Sequence, residues 1–186
     1  RLGAAKVLAE RLGGDPMSLA PEDRARLVEA YKAAIEADPR EIEGYLKAVE
    51  LLDLKDPKGA AAILSGYPLN RAAPDTSDAF IAGEVVRLLM RGKDYTKWKA
   101  DSPELQTVGK NLVVMAMVQS LEVISGYVTK LEDANHTPLL CNVYAAANRK
   151  PLDDPALKQF FQRKGWIVGK PMAHLWAEAA ALSPPG

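Results

Sequence analysis

Residues that carry chemistry are scarce in this sequence, whose 186 residues include one cysteine and two histidines. The lone Cys141 excludes an internal disulfide framework, which fits a reducing compartment or a protein that needs no crosslinks. His136 and Cys141, in "HTPLLC", supply at most two metal ligands, whereas a site needs three or four. We therefore predict no metal site, a loop position for His136, and Cys141 as a small buried apolar residue.

Catalytic motifs are also missing. The stretches "TVGKN" and "IVGKP" lack the upstream glycine and the following Ser or Thr of a phosphate loop. The stretches "LSGY" and "ISGY" lack the leading glycine of a serine-hydrolase elbow. Paired acids such as Asp153-Asp154 stand beside predicted helix ends, where helix capping explains them. We therefore predict a protein that is not an enzyme, with no catalytic residue and no cofactor.

Net charge is zero, since 24 Lys and Arg balance 24 Asp and Glu, and this disfavours nucleic acid as the main partner. The charge is nonetheless uneven. Residues 22–53 hold nine acids and five bases, residues 87–99 five bases and one acid, and residues 149–170 six bases and two acids. Such stretches fit either solvated helix faces or an oriented docking surface.

Tryptophan occurs three times, and two copies have basic neighbours, Trp98 in "KWK" and Trp166 in "RKGW"; the third is Trp176. Three interpretations stay open: a buried core residue, a protein-interface anchor, or a stacking platform for nucleic acid.

Strand-like alternation of β-branched residues is nearly absent, while Ala, Leu, Glu and Lys recur with helical spacing. Prolines fall between the periodic segments, where they begin or end helices. We predict an all-α protein of eight or nine helices, with a linker over residues 66–77 and Thr76 or Ser77 as the cap of the following helix. The predicted helices are Arg1 to Leu12, Glu22 to Ala37, Ile42 to Leu54, Lys58 to Leu64, Asp78 to Met90 (ended by Gly92), Pro103 to about Lys130, Thr137 to Asn148, Pro155 to Arg163 and Pro171 to Leu182.

The segment 111–129, "NLVVMAMVQSLEVISGYVT", has about the length of a membrane span. Gln119, Glu122 and Ser125 interrupt it along one stripe of a helix, and a mid-span carboxylate costs a few kcal/mol in lipid. We therefore expect a central buried helix, with membrane association as the disfavoured alternative.

The stretch "LVEAYKAAIEADP" places Leu27, Tyr31, Ala34 and Pro39 at intervals that resemble the second helix of a tetratricopeptide repeat. The small Ala34 would let a neighbouring helix approach, and Pro39 would stop the helix so that the chain can reverse.

The following helix, "IEGYLKAVELLDL", has Tyr45 where that family has a large aromatic residue. The next closing proline, Pro68, comes 29 residues after Pro39, which is short of the roughly 34 residues of the repeat. The resemblance covers residues 22–68, and more weakly residues 78–98.

This resemblance implies antiparallel helical hairpins over residues 1–68, stacked as a short tetratricopeptide-like α-solenoid. A C-terminal region over residues 78–182, with its long buried helix, either packs on the hairpins or forms one continuous domain with them. Such stacks bind proteins, so we expect a non-enzymatic scaffold or assembly factor that binds a partner through a helical-repeat surface. The alternative is a helical accessory subunit of a larger organellar complex, with or without membrane association.

The predicted partner-binding residues comprise two tyrosines of the repeat-like segment and the residues of the basic stretch, whose side chains would meet an acidic segment of the partner. They are Tyr31, Tyr45, Arg87, Arg91, Lys97, Trp98 and Lys99. The sequence as given begins at Arg1 without a charged-then-apolar leader. We expect an intracellular, soluble protein, with an organellar lumen or matrix as an alternative for a processed chain.

Overall fold

The computed structural model describes residues 1–13, 15, 18–53, 55–147 and 155. Within these ranges all regular secondary structure is helical, with eight α-helices and one 3-10 turn, which confirms the all-α prediction. The chain divides into two compact units, Arg1–Pro68 and Leu69–Gly186.

The first unit contains four helices, and each packs against the next along the chain. Proline opens α2 and α4 at the first helical position, where its missing N–H is not needed. Asp56 caps α4, since its side chain accepts a hydrogen bond from the Gly59 amide at 2.9 Å. The four helices are α1 (Leu2–Arg11), α2 (Pro21–Ala37), α3 (Ile42–Leu52) and α4 (Pro57–Ser65).

The core of the first unit lies where α2 meets its neighbours. It consists of small and large apolar residues from three helices: Ala5, Leu27, Val28, Tyr31, Ala48 and Leu51. The approach of α3 to α2 is close, because a Cβ atom on Gly44 would lie 3.2 Å from Cγ1 of Ile35. Small residues at these positions therefore set the distance between the two helices.

The second unit is built around α6, which packs against α5, α7 and α8. Nine of its residues are buried, from Leu105 to Ala116, and they lie on nearly every side of the helix. A helix that is apolar all round belongs in a core. The elements are α5 (Thr76–Leu89), a 3-10 turn (Asp94–Lys97), α6 (Pro103–Val118), α7 (Leu121–Asp133) and α8 (Thr137–Ala147).

The prediction of one long helix from Pro103 to about Lys130 is wrong. The chain leaves helical geometry at Gln119 and Ser120, whose ψ angles are 162° and 153°, and α7 then begins at Leu121. The break lets α7 bury one face, with Ile124, Val128 and Leu131 in the same apolar cluster as α6 and α8. On another face of α7, Val123 is 62% exposed. The free energy gained by burying this apolar stripe of α7 exceeds the cost of interrupting the helix.

No helix in the described ranges combines the length and the apolarity that a membrane crossing requires.

The predicted cap of α5 is also corrected. Thr76 and Ser77 lie inside the helix, and Asp75 caps it by accepting hydrogen bonds from the amides of Ser77 and Asp78 at 2.8 and 2.9 Å. The Asp78 carboxylate accepts in return from the Asp75 amide at 3.0 Å, which completes a capping box. It also accepts from the amide of Asn70, so part of the predicted linker is tied to α5.

The helices predicted over 155–163 and 171–182 lie outside the described residues, apart from Pro155 itself.

Candidate functional site

Tyr45 was predicted to contact a partner, but the structure places it in the core of the first unit, where it is 1% exposed. Its hydroxyl donates toward the carbonyl oxygens of Pro39 and Gly66, at 3.2 and 3.3 Å. Its ring meets that of Tyr67 edge-on, with centroids 5.4 Å apart. Tyr45 therefore joins two loops of the unit and offers no surface to a partner.

Tyr31 is also buried, at 3% exposure, but its environment differs because it lines a pocket of about 370 Å³. Burial raises the pKa of the Tyr31 hydroxyl, and Lys47 lowers it in partial opposition. Among the described residues the hydroxyl makes no hydrogen bond, in contrast to that of Tyr45. The structure therefore brings one of the two predicted tyrosines to a concave site.

The rest of this pocket, here called the α1–α3 pocket, combines apolar walls with a charged rim. The walls come from Ala9, Leu19, Leu27 and Leu51. The rim carries two lysines and three glutamates: Lys6, Lys47, Glu10, Glu43 and Glu50.

Two ion pairs order the rim of the α1–α3 pocket. Lys6 of α1 pairs with Glu43 of α3 at 2.7 Å, and Lys47 pairs with Glu50 within α3 at the same distance. The hydrogen bond from Lys47 to Glu50 raises the pKa of the lysine. Glu10 forms no ion pair with any described residue. The sequence analysis did not identify this pocket, because its lining comes from three helices and from Leu19 before α2, and local spacing does not reveal their arrangement.

The basic stretch predicted as a docking surface lies at the end of α5 and in the loop that follows. Arg87 pairs with Glu84 one turn earlier, at 2.9 Å, so its charge is already balanced. Arg91, Lys93, Lys97 and Lys99 are all exposed. We call the loop segment from Arg91 to Lys99 the basic loop.

The basic loop is fixed from its inner side. The rings of Tyr95 and Trp98 meet edge-on, with centroids 6.4 Å apart, and both are partly buried against the core of the second unit. His136, in the turn before α8 as predicted, is 8% exposed, and its Nε2 lies 2.7 Å from the carbonyl oxygen of Tyr95. A carbonyl can only accept, so Nε2 carries the proton and donates it. Trp98 therefore supports the loop and does not stand free on it.

The lysines of the basic loop keep their charge available. Within the described part of the chain, no ion pair involves Lys93, Lys97 or Lys99. The basic loop thus combines an anchored backbone with exposed lysine side chains that form no ion pair with a described residue. Trp166 and Trp176 lie outside the described residues.

No group of three or more His, Cys, Asp or Glu side chains in the described ranges could hold a metal ion. Cys141 is buried in α8 at 6% exposure, as predicted.

Comparison with known proteins adds no relative, since no family model, no curated protein and no solved structure matches the chain. The resemblance to tetratricopeptide repeats therefore depends on the residues of the chain alone and stays a prediction.

Proposed function

We propose that this protein is a non-enzymatic interaction scaffold or assembly factor that binds an acidic segment of a partner protein through the basic loop. The observation that carries the proposal is that three exposed lysines without ion pairs, Lys93, Lys97 and Lys99, stand on a loop anchored from within by Tyr95 and Trp98.

Anchoring of the loop matters because binding costs conformational entropy for every segment that must become ordered. In the basic loop the backbone is already held by two aromatic rings and by the bond from His136. Only the lysine side chains have to order when a partner binds. Charges at the edge of an interface mainly accelerate encounter and select against partners of the wrong sign.

A protein segment fits the charge of this surface better than nucleic acid does. Between residues 91 and 101, four bases face two acids, Asp94 and Asp101, so the local excess is two positive charges. Nucleic-acid affinity grows with the number of phosphates that are neutralised, and two charges give little. Stacking on Trp98 would require a free ring face, whereas the ring is partly buried.

The proposal includes a short tetratricopeptide-like stack for the first unit. Consecutive packing of α1 on α2, α2 on α3 and α3 on α4 supports it, as do the short connections after α2 and α3. Stacked hairpins of this kind bury a continuous core and leave surfaces for partners.

Capture from the native source tests the proposal. We expect the wild-type chain to recover a protein with an acidic segment, and the Lys97→Glu/Lys99→Glu variant to lose it. The control is Lys55→Glu/Lys130→Glu, which makes the same charge change at exposed lysines outside the basic loop. Equal recovery by both variants, or recovery that nuclease treatment abolishes, would show that the basic loop does not bind an acidic protein.

A further inference from the structure

The α1–α3 pocket has a polar group in its lining that bonds to no described residue. The Tyr31 side chain is only 3% exposed and lines the pocket, and its hydroxyl makes no hydrogen bond with the described residues. The hydroxyl oxygen is not one of the enclosed polar atoms without a partner, so it opens into the pocket. An occupant of the pocket can therefore reach this hydroxyl with a hydrogen-bond donor or acceptor.

The charge of the pocket rim indicates the charge of the occupant. Its three carboxylates exceed its two ammonium groups by one, and both lysines are already paired at 2.7 Å. Glu10 is the rim charge left without an ion pair in the described part of the chain. One positive group would balance the rim, whereas an anionic occupant would add to its negative excess.

The walls and the mouth of the pocket indicate the shape of the occupant. The walls are aliphatic, from Leu19, Leu27, Leu51 and Ala9, so the body of the occupant is apolar. The paired rim side chains are 41–49% exposed, so the mouth is open to solvent. At about 370 Å³ the pocket lies at the lower end of the range for ligand sites. A single long side chain, whose backbone stays outside, fits these dimensions.

We propose that the α1–α3 pocket binds one arginine side chain of a partner protein, with its methylenes along the leucines and its guanidinium between the rim carboxylates and the Tyr31 hydroxyl. Arginine is favoured over lysine because its five N–H donors reach a carboxylate and a phenol oxygen at the same time. This site belongs to the first unit and is independent of the basic loop.

Titration of the full-length chain with short peptides tests the proposal. The probe is a capped 12-residue peptide of Ala, Gln and Leu with one central arginine, followed by calorimetry. Matched probes replace arginine with citrulline, which keeps the shape but removes the charge, or with lysine. Capped free arginine is the third comparison. We expect saturable binding of the arginine peptide and about tenfold weaker binding of the citrulline peptide, on the strength of charge-assisted hydrogen bonds.

Pocket variants identify the site. Glu10→Gln and Tyr31→Phe should each lower the affinity for the arginine peptide about three- to tenfold, because each removes one polar contact. Glu36→Gln is the matched control, since Glu36 is exposed on α2 and does not line the pocket. Helical circular dichroism should be unchanged in all three variants. Tyr31→Phe breaks no hydrogen bond of the described chain, so its effect on binding is separable from folding.

Three outcomes would overturn the proposal: no saturable binding up to the solubility of the peptide, equal affinity for the arginine and citrulline peptides, or affinity for the lysine peptide equal to or higher than that for the arginine peptide. The probe carries no acid, and the variants leave Lys97 and Lys99 intact. Failure here is therefore distinguishable from failure of the basic loop to bind an acidic segment.

Discussion

Gly109→Ala should destabilise the second unit, because α6 approaches α8 closely at this glycine. A Cβ atom on Gly109 would lie 2.5 Å from Cδ1 of Leu139 and 2.8 Å from its Cγ. Leu139 is 2% exposed, and its Cγ cannot move away by rotation of a terminal methyl group alone. Overpacking of this kind costs about 1–3 kcal/mol, and this contact belongs in the upper part of that range.

The new alanine also favours the helix by about 1 kcal/mol relative to glycine. The net expectation is a loss of about 1–2 kcal/mol in the free energy of unfolding, measured by chemical denaturation with circular dichroism. Gly126→Ala is the control, because nothing lies within 4 Å of a Cβ atom at that exposed helical position. It should stabilise by about 0.5–1 kcal/mol.

A double-mutant cycle locates the clash. If Leu139 is the obstacle, Gly109→Ala combined with Leu139→Ala should cost about 2 kcal/mol less than the sum of the single changes. A Gly109→Ala protein as stable as the wild type, or stabilised to the extent of Gly126→Ala, would refute the close approach of α6 and α8.

Three further changes probe individual contacts. Tyr45→Phe should lower the free energy of unfolding by about 1 kcal/mol, since the lost hydroxyl serves two carbonyls at long distances, and an unchanged denaturation midpoint would contradict this. Asp75→Ala should cost about 1 kcal/mol through the lost cap of α5, while an equal effect of exposed Asp101→Ala would show that the cap is not responsible. Burial and the nearby Glu132 raise the pKa of Tyr144 well above the ordinary value of 10.0, so the folded chain retains a proton that the unfolded chain loses. The free energy of unfolding should therefore fall as the pH rises above 10 toward the pKa of Tyr144 in the folded chain. Tyr144→Phe should make this alkaline fall less steep, and an equally steep fall in the wild type and the variant would contradict the role of Tyr144.

Local signals in the sequence predicted most of the helices of the described part. Prolines between the periodic segments marked helix starts, as Pro57 does for α4, and the apolar spacing around Tyr31 marked α2. Such features act within one turn of a helix, so they are visible without the fold. The capping error at Asp75 had a local cause too, because three consecutive residues, Asp, Thr and Ser, are all good caps.

Features that depend on tertiary packing escaped prediction. Gln119 and Ser120 form no strong breaker, and the chain departs from helix there because α7 gains burial by leaving the direction of α6. Tyr45 and Tyr31 look alike in the sequence, yet one is a core hydroxyl with two acceptors and the other opens into a pocket. That difference comes from which helices surround each ring.

The most direct test of the central claim is the dissociation constant between the captured partner and this chain, measured for the wild type and for Lys97→Glu/Lys99→Glu. Each reversal replaces an attraction with a repulsion, and two reversals at an exposed surface should weaken binding about tenfold, with no change for Lys55→Glu/Lys130→Glu. Equal dissociation constants for the wild type and both variants would contradict the claim that the basic loop binds an acidic protein segment.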